Sequence, residues 1–201
     1  DGKLVIKGDE TGEVTAEMVD NAIVLNYSGV GMVFGGGDTG LMGAAARGVK
    51  SKGGEVIGVI PEKLNQPGIA YPDCDALIVT PDMHARKAKM EALSFGFLAL
   101  PGGFGTLEEL LEVITLNQLG YLSAPVAILN TQGYYDALLA QLETCIVQDF
   151  TDSACRAIYH AADTPQDAVA WMLAAGPADL PNKIKDAIED DKRIRAQQTT
   201  N

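Results

Sequence analysis

Two glycine-rich turns, each set between a short apolar run and a stretch of helical periodicity, restrict this chain more than any other feature. The first, Gly35-Gly-Gly-Asp-Thr-Gly-Leu-Met-Gly43, follows Gly31-Met-Val-Phe34. The second opens the segment Pro101-Gly-Gly-Phe-Gly-Thr-Leu-Glu-Glu-Leu110, which follows Phe95-Gly-Phe-Leu-Ala-Leu100. A strand that runs through such a turn into a helix reaches its next neighbour by a crossover, and crossovers build parallel sheets. Glycine lets backbone N–H groups crowd round a ligand, and the new helix points its positive end at the same place. Each turn is therefore a candidate phosphate cradle.

The same alternation runs along the whole chain. Strands are expected at Leu4–Lys7, Gly31–Phe34, Gly54–Ile60, Ala76–Val79, Phe95–Leu100, Pro125–Leu129 and, as a last edge, Ala157–His160. Helices are expected at Val14–Tyr27, with Met18, Ala22 and Leu25 on one face, and at Leu41–Lys52, His84–Leu93, Leu107–Leu119 and Tyr134–Gln148. Thr164-Pro-Gln-Asp167 has a proline in the first turn and the spacing of a capping box, so a further helix begins there. The order predicts an α/β, doubly wound, Rossmann-like parallel sheet with helices on both faces. Ligands on such sheets bind beyond the carboxyl ends of the strands, where strand order reverses. Residues 1–176 are expected to form one nucleotide-binding catalytic domain, and 177–201 a charged C-terminal helix or tail.

With 47% apolar and 21% charged residues, a chain of 201 residues can bury a substantial core. Its formal net charge of −12 disfavours bulk nucleic acid and anionic membranes. No apolar run reaches the roughly 18–20 residues of a membrane span, and no signal-peptide pattern is visible, so a cytoplasmic protein is expected. The three cysteines, Cys74, Cys145 and Cys155, share no metal or redox spacing and read as free thiols.

Gly35, Gly37 and Gly40 satisfy G-x-G-x-x-G, and Glu62 follows near the distance of a ribose-binding acid. That pattern alone reads as a dinucleotide site. It falls after the second strand rather than the first, however, and a simple dinucleotide fold has no need of the later turn. The bland reading is a tight turn that lets a helix pack closely. Met83-His-Ala-Arg-Lys87, at a helix start, concentrates base in an acidic chain. Arg86 offers a planar fork for phosphate or sugar oxygens, whereas Lys87 and Lys89 also read as a solvated face and His84 as structural. Thr106-Leu-Glu-Glu109 has the spacing of a capping box, which would explain Glu109 without any catalysis.

Taken together, the three segments resemble the signatures of the LOG ("lonely guy") proteins. These are cytokinin riboside 5′-monophosphate phosphoribohydrolases, long mislabelled as lysine decarboxylases. The likeness runs from about residue 3 to about residue 175 in the same order of elements. It implies hydrolysis of the N-glycosidic bond of a nucleoside 5′-monophosphate, AMP or a cytokinin riboside 5′-monophosphate, to free base and ribose 5-phosphate. It implies catalytic Arg86 and Glu109, and a phosphate and ribose grip from Gly35, Gly36, Gly37, Thr39, Gly40, Gly102, Gly103, Gly105 and Thr106. Met83 and Lys87 would assist substrate binding. No cofactor and no metal is implied, and family members form homodimers or larger homo-oligomers. The alternative is a non-catalytic nucleotide or cofactor carrier on the same fold. Two departures stand out: Ala85 replaces the usual glutamate of M-H-E-R-K, and Lys7-Gly-Asp-Glu10 replaces a Gly-Ser after the first strand. Asp9 would repel a phosphate that it faced, and Lys7 would offset it.

Overall fold

Side chains on the central strands alternate strictly between two apolar layers. Met32, Phe34, Val56, Leu98, Leu100, Ala127 and Leu129 lie on one face, with Ala45, Ala46, Val49, Ala168, Val169 and Met172 packed against them. Val33, Ile57, Val59, Phe97, Ala99, Val126 and Ile128 lie on the other, against Met90, Leu110, Val113 and Tyr135. This period of two over strands buried on both sides is what parallel, helix-covered sheets require. Burying each such side chain stabilises the fold by roughly 1.5–3 kcal/mol.

The structure is a computed structural model and describes residues 3–7, 14–19, 22–27, 31–175 and 192, the first three stretches as strand backbone only. In chain order the strands and helices are β1 (Lys3–Lys7), β2 (Val14–Val19), β3 (Ala22–Tyr27), β4 (Gly31–Phe34), α1 (Gly40–Ser51), β5 (Val56–Pro61), β6 (Ala76–Thr80), α2 (Met83–Ala92), β7 (Gly96–Ala99), α3 (Phe104–Gln118), β8 (Val126–Leu129), α4 (Asp136–Val147), β9 (Tyr159–Ala162) and α5 (Pro165–Ala174). A seven-stranded sheet has the order β6-β5-β4-β1-β7-β8-β9. Chain order runs outward from β4 on one side and from β7 on the other, so the reversal lies between these two strands. Both glycine-rich turns leave from them. The fold is α/β and Rossmann-like, with parallel strands alternating with helices on both faces.

Two expectations are corrected. Val14–Tyr27 is not a helix: β2 and β3 pair antiparallel as a separate two-stranded sheet, from Val14 opposite Tyr27 to Val19 opposite Ala22. Six of its residues, Val14, Thr15, Val19, Ile23, Val24 and Tyr27, favour strands, and Asp20-Asn21 between the strands is a pair suited to a tight hairpin turn. β3 lies against α1, and β2 against α5. The second correction follows from the first. With no helical crossover between them, β1 is antiparallel to β4, and also to β7, inside an otherwise parallel sheet. The Asp9 departure and the tail from residue 177 lie outside the described residues, apart from Lys192. No helix among the described residues is long and apolar enough to cross a membrane.

The remaining elements follow the expected order with shifts of a few residues. Thr164 caps α5 as its spacing requires, its hydroxyl accepting from the Asp167 N–H at 3.2 Å, with Pro165 in the first turn. Cys74, Cys145 and Cys155 are free thiols.

Candidate active site

Asp82 caps α2 by accepting from the Ala85 N–H at 2.8 Å, and this sets the helix so that Arg86 turns inward. Arg86 is 5% exposed. Its Nη1 donates to Glu109 Oε1 at 2.7 Å and its Nε to the Val59 carbonyl at 3.2 Å. The guanidinium lies against the backbone of Gly35, where a Cβ would sit 1.9 Å from Nη2. Arg86 is thus oriented by a carboxylate, a strand carbonyl and a bare backbone, without the glutamate that Ala85 replaces.

Two more glycines of the first turn, Gly37 and Gly43, make room for the protein's own atoms. A Cβ on Gly37 would meet Met42 Cε at 2.3 Å, and one on Gly43 the Asp38 carbonyl oxygen at 1.7 Å. Gly36 has φ +76° and Gly40 φ +66°, left-handed values that glycine adopts without strain. Thr39 is the exposed N-cap of α1 and makes no side-chain capping bond. Beside this turn, on the α1 side of the sheet, a cleft of ≈ 450 Å³ is lined by Asp38, Gln66, Tyr71, Cys74 and Leu77 among others.

At the second turn, α3 begins earlier than its spacing predicts. Gly103 is the N-cap, and its carbonyl accepts from the Leu107 N–H at 3.1 Å. Thr106 therefore sits inside the first turn of α3, and the capping box with Glu109 does not form. Glu109 is 2% exposed; one oxygen holds Arg86, and Oε2 has no hydrogen-bond partner among the described residues. An unpaired oxygen on a buried carboxylate costs roughly 1–3 kcal/mol, which helix structure alone does not repay. Gly102 is bare because Thr106 Oγ1 would lie 2.1 Å from its Cβ. A Cβ on Gly103 would meet nothing within 4 Å, and the residue is exposed. Gly105 follows it, half-buried, in the first turn of α3.

Lys87 is not on a solvated face. It is buried and pairs with Glu108 and, at 3.0 Å, with Glu112 Oε2. Burial opposes its charge, but the two carboxylates prevail and hold the ammonium above its ordinary range. Arg86–Glu109 and Lys87–Glu108/Glu112 together form a double cross-link between α2 and α3. Lys89 and His84 are exposed, and Met83 stands exposed at the start of α2.

Sequence reasoning missed Tyr134 and Tyr135. Tyr135 Oη donates to the Leu100 carbonyl and Tyr134 Oη to the Gly102 carbonyl, both at 2.6 Å. The two rings meet edge to face at 4.9 Å. Burial pushes the Tyr135 hydroxyl up to about 12, with its neighbour Tyr134 adding to the effect. A Tyr-Tyr pair just after Gly133 was the available signal. Among the described residues no group of three or more His, Cys, Asp or Glu side chains could hold a metal ion.

The chain resembles known proteins over most of its length. A family model described as "Possible lysine decarboxylase" matches residues 42–172. "Cytokinin riboside 5'-monophosphate phosphoribohydrolase LOG5" of Arabidopsis thaliana is 36% identical over 197 residues, 98% of this chain and 83% of its own. "Probable cytokinin riboside 5'-monophosphate phosphoribohydrolase LOGL3" of Oryza sativa subsp. japonica is 45% identical over 149 residues, 74% of this chain and 71% of its own. Among solved structures, the molybdenum cofactor carrier protein of Chlamydomonas reinhardtii superposes with a TM-score of 0.50 at 26% identity, covering 71% of this chain and 76% of its own. The molybdenum cofactor binding protein of Rippkaea orientalis, with a TM-score of 0.51 at 20% identity over 71% of this chain and 75% of its own, shares the fold. On the strength of the family model and of relatives that match most of its length, the chain belongs to the LOG family.

Proposed function

We propose that the protein hydrolyses the N-glycosidic bond of a nucleoside 5′-monophosphate, releasing free base and ribose 5-phosphate. The observation that carries this reading is Glu109. Its spacing is that of a helix cap, yet its carboxylate is buried against Arg86 with one oxygen left over. The names of the LOG relatives supply the reaction class.

Cleavage at the anomeric carbon passes through positive charge on the ribose ring. The spare oxygen of Glu109 stabilises that charge or takes the proton of the attacking water. Arg86 holds the other oxygen and so fixes where the free one stands; with a pKa above ~12 it is no proton donor. The base leaves after protonation on its own ring or by water. The N–H groups around Gly102, Gly103, Gly105 and Thr106, at the start of α3, grip the phosphate. Gly36, Gly37, Thr39 and Gly40 border the ribose, and Met83 the base. The phosphate supplies remote binding energy that holds the sugar for reaction. Lys87 acts at one remove, by tying α3 to α2. The same reading has the protein working as a homodimer or larger homo-oligomer, which sedimentation velocity reads directly.

The test is incubation with AMP and with isopentenyladenine riboside 5′-monophosphate, with chromatography for free base. Glu109→Gln is expected to lose on the order of a hundredfold or more in turnover with its fold intact by circular dichroism. The likeness to a molybdenum cofactor carrier favours a second reading, a non-catalytic carrier. Binding of nucleotide without release of base, unchanged by Glu109→Gln, would establish that reading instead.

A further inference from the structure

We infer that Tyr134 is a positioning residue for the phosphate grip, acting by aiming the Gly103 N–H. The inference rests on the proposed phosphate site at the start of α3.

In a trans peptide the carbonyl and the following N–H point in opposite directions, and no described peptide bond is cis. Tyr134 Oη donates to the Gly102 carbonyl at 2.6 Å and so holds one end of the Gly102–Gly103 peptide. The other end is the Gly103 N–H. It belongs to the N-cap of α3, ahead of the first-turn N–H groups that have no carbonyl one turn back. Space beside Gly103 is open, whereas Gly102 is closed in by Thr106. Glycine on both sides would otherwise let this peptide turn over freely. The hydroxyl supplies the constraint that the sequence of the turn lacks.

The fold makes a particular effort to deliver Tyr134. Gln132 has φ +56° and Gly133 φ +72°, two left-handed residues in succession, of which the first is strained in a glutamine. Asn130 locks the turn, donating to Asp136 Oδ1 at 2.8 Å and accepting from the Tyr135 N–H at 2.7 Å. The buried Tyr135 anchors the neighbouring Leu100 carbonyl. Tyr134 by contrast is 53% exposed, so its hydroxyl is not held by burial and its bond to Gly102 adds little to the core. A strained turn that delivers a half-exposed hydroxyl to the carbonyl side of a peptide whose N–H belongs to an exposed residue fits preorganisation of a binding site.

Tyr134→Phe keeps the ring and removes only the hydroxyl. Titration calorimetry with inorganic phosphate is expected to show affinity about five- to tenfold weaker in the variant, the worth of one oriented hydrogen bond. KM for AMP rises by the same factor, kcat stays within about twofold, and inhibition by free adenine is unchanged. Equal phosphate affinity in the two proteins overturns the inference. So does a variant in which phosphate and adenine binding weaken together with a lower melting temperature, because that is a structural role. A wild type that binds phosphate but cleaves no nucleoside monophosphate removes the hydrolase reading and leaves the role of Tyr134 standing on the calorimetry. A wild type that binds no phosphate overturns the inference, and release of base from AMP then decides the hydrolase reading by itself.

Discussion

The two glycine-rich turns look alike in sequence and differ in use. In the first, three of the missing side chains make room for the protein itself, Gly35 for the Arg86 guanidinium, Gly37 for Met42 and Gly43 for the Asp38 carbonyl, and Gly40 alone, held at φ +66°, faces open space. In the second, Gly102 yields to Thr106 but Gly103 yields to nothing within 4 Å. One turn is a seat for a catalytic candidate and a seam between strand and helix; the other presents backbone to solvent. Glycine richness at a strand end therefore does not by itself mark ligand contact. What separates the cases is which atoms occupy the space that a Cβ would take.

A matched pair of substitutions breaks or sharpens that contrast. In Gly35→Ala the new methyl would stand 1.9 Å from Arg86 Nη2, the movable end of a side chain, so the guanidinium is expelled while the fold survives. The expected outcome is a fall in kcat on the order of a hundredfold, close to that of Arg86→Ala, with a melting temperature lowered in both variants because the buried Glu109 carboxylate loses its partner. Gly103→Ala meets no atom and keeps an allowed φ of −86°. It is expected to leave kcat unchanged and raise KM for AMP by about threefold, since only an incoming phosphate feels the methyl. Equal effects of the two substitutions in steady-state kinetics would mean that both turns serve the same purpose.

Much of this was legible from residue pattern. Short continuous apolar runs at Gly31–Phe34, Gly54–Ile60 and Phe95–Leu100 placed the strands, and the turns placed the sheet edge where Arg86 and Glu109 meet. The failures are instructive. Met18, Ala22 and Leu25 imitate a helical stripe, but the β-branched residues around them and Asp20-Asn21 between the strands carried the better signal. Thr106 and Glu109 have the spacing of a cap, yet local spacing cannot reveal that Gly103 has already taken the N-cap position. The Arg86–Glu109 bond joins residues 23 apart in sequence, and the Tyr134 bond to Gly102 spans 32; only the fold brings them together.

Lys87 gives the contrast a second axis, between side chains proposed to serve the reaction and those that only tie the helices together. It follows Arg86 in sequence and is buried like it, but both of its partners are carboxylates on α3. Lys87→Met keeps most of the apolar stem and removes the charge. Glu108 is half exposed and regains water readily, so the loss comes mainly from Glu112. Stability is expected to fall by about 1 kcal/mol, read as a lower urea midpoint at unchanged m-value. The phosphate affinity should stay at the wild-type value. A phosphate affinity that fell while the urea midpoint held would instead place the Lys87 ammonium in the ligand site.

The smallest effect separates the two tyrosines that secure the second turn. Burial raises the Tyr135 hydroxyl from its ordinary 10.0 to about 12, so the folded protein binds this proton more tightly than the unfolded chain does. The resulting stabilisation is fully present below pH ~10 and is lost as pH rises from there through about 12. Urea midpoints measured across this window should decline more steeply in wild type than in Tyr135→Phe, which has no such proton to lose. Tyr134→Phe should flatten the slope only slightly, because burial, the larger cause of the Tyr135 shift, remains and only the smaller contribution of the neighbouring tyrosine is lost. If the slope instead changed with Tyr134 and not with Tyr135, the division between an anchor in the core and an aiming bond at the surface would have to be reversed.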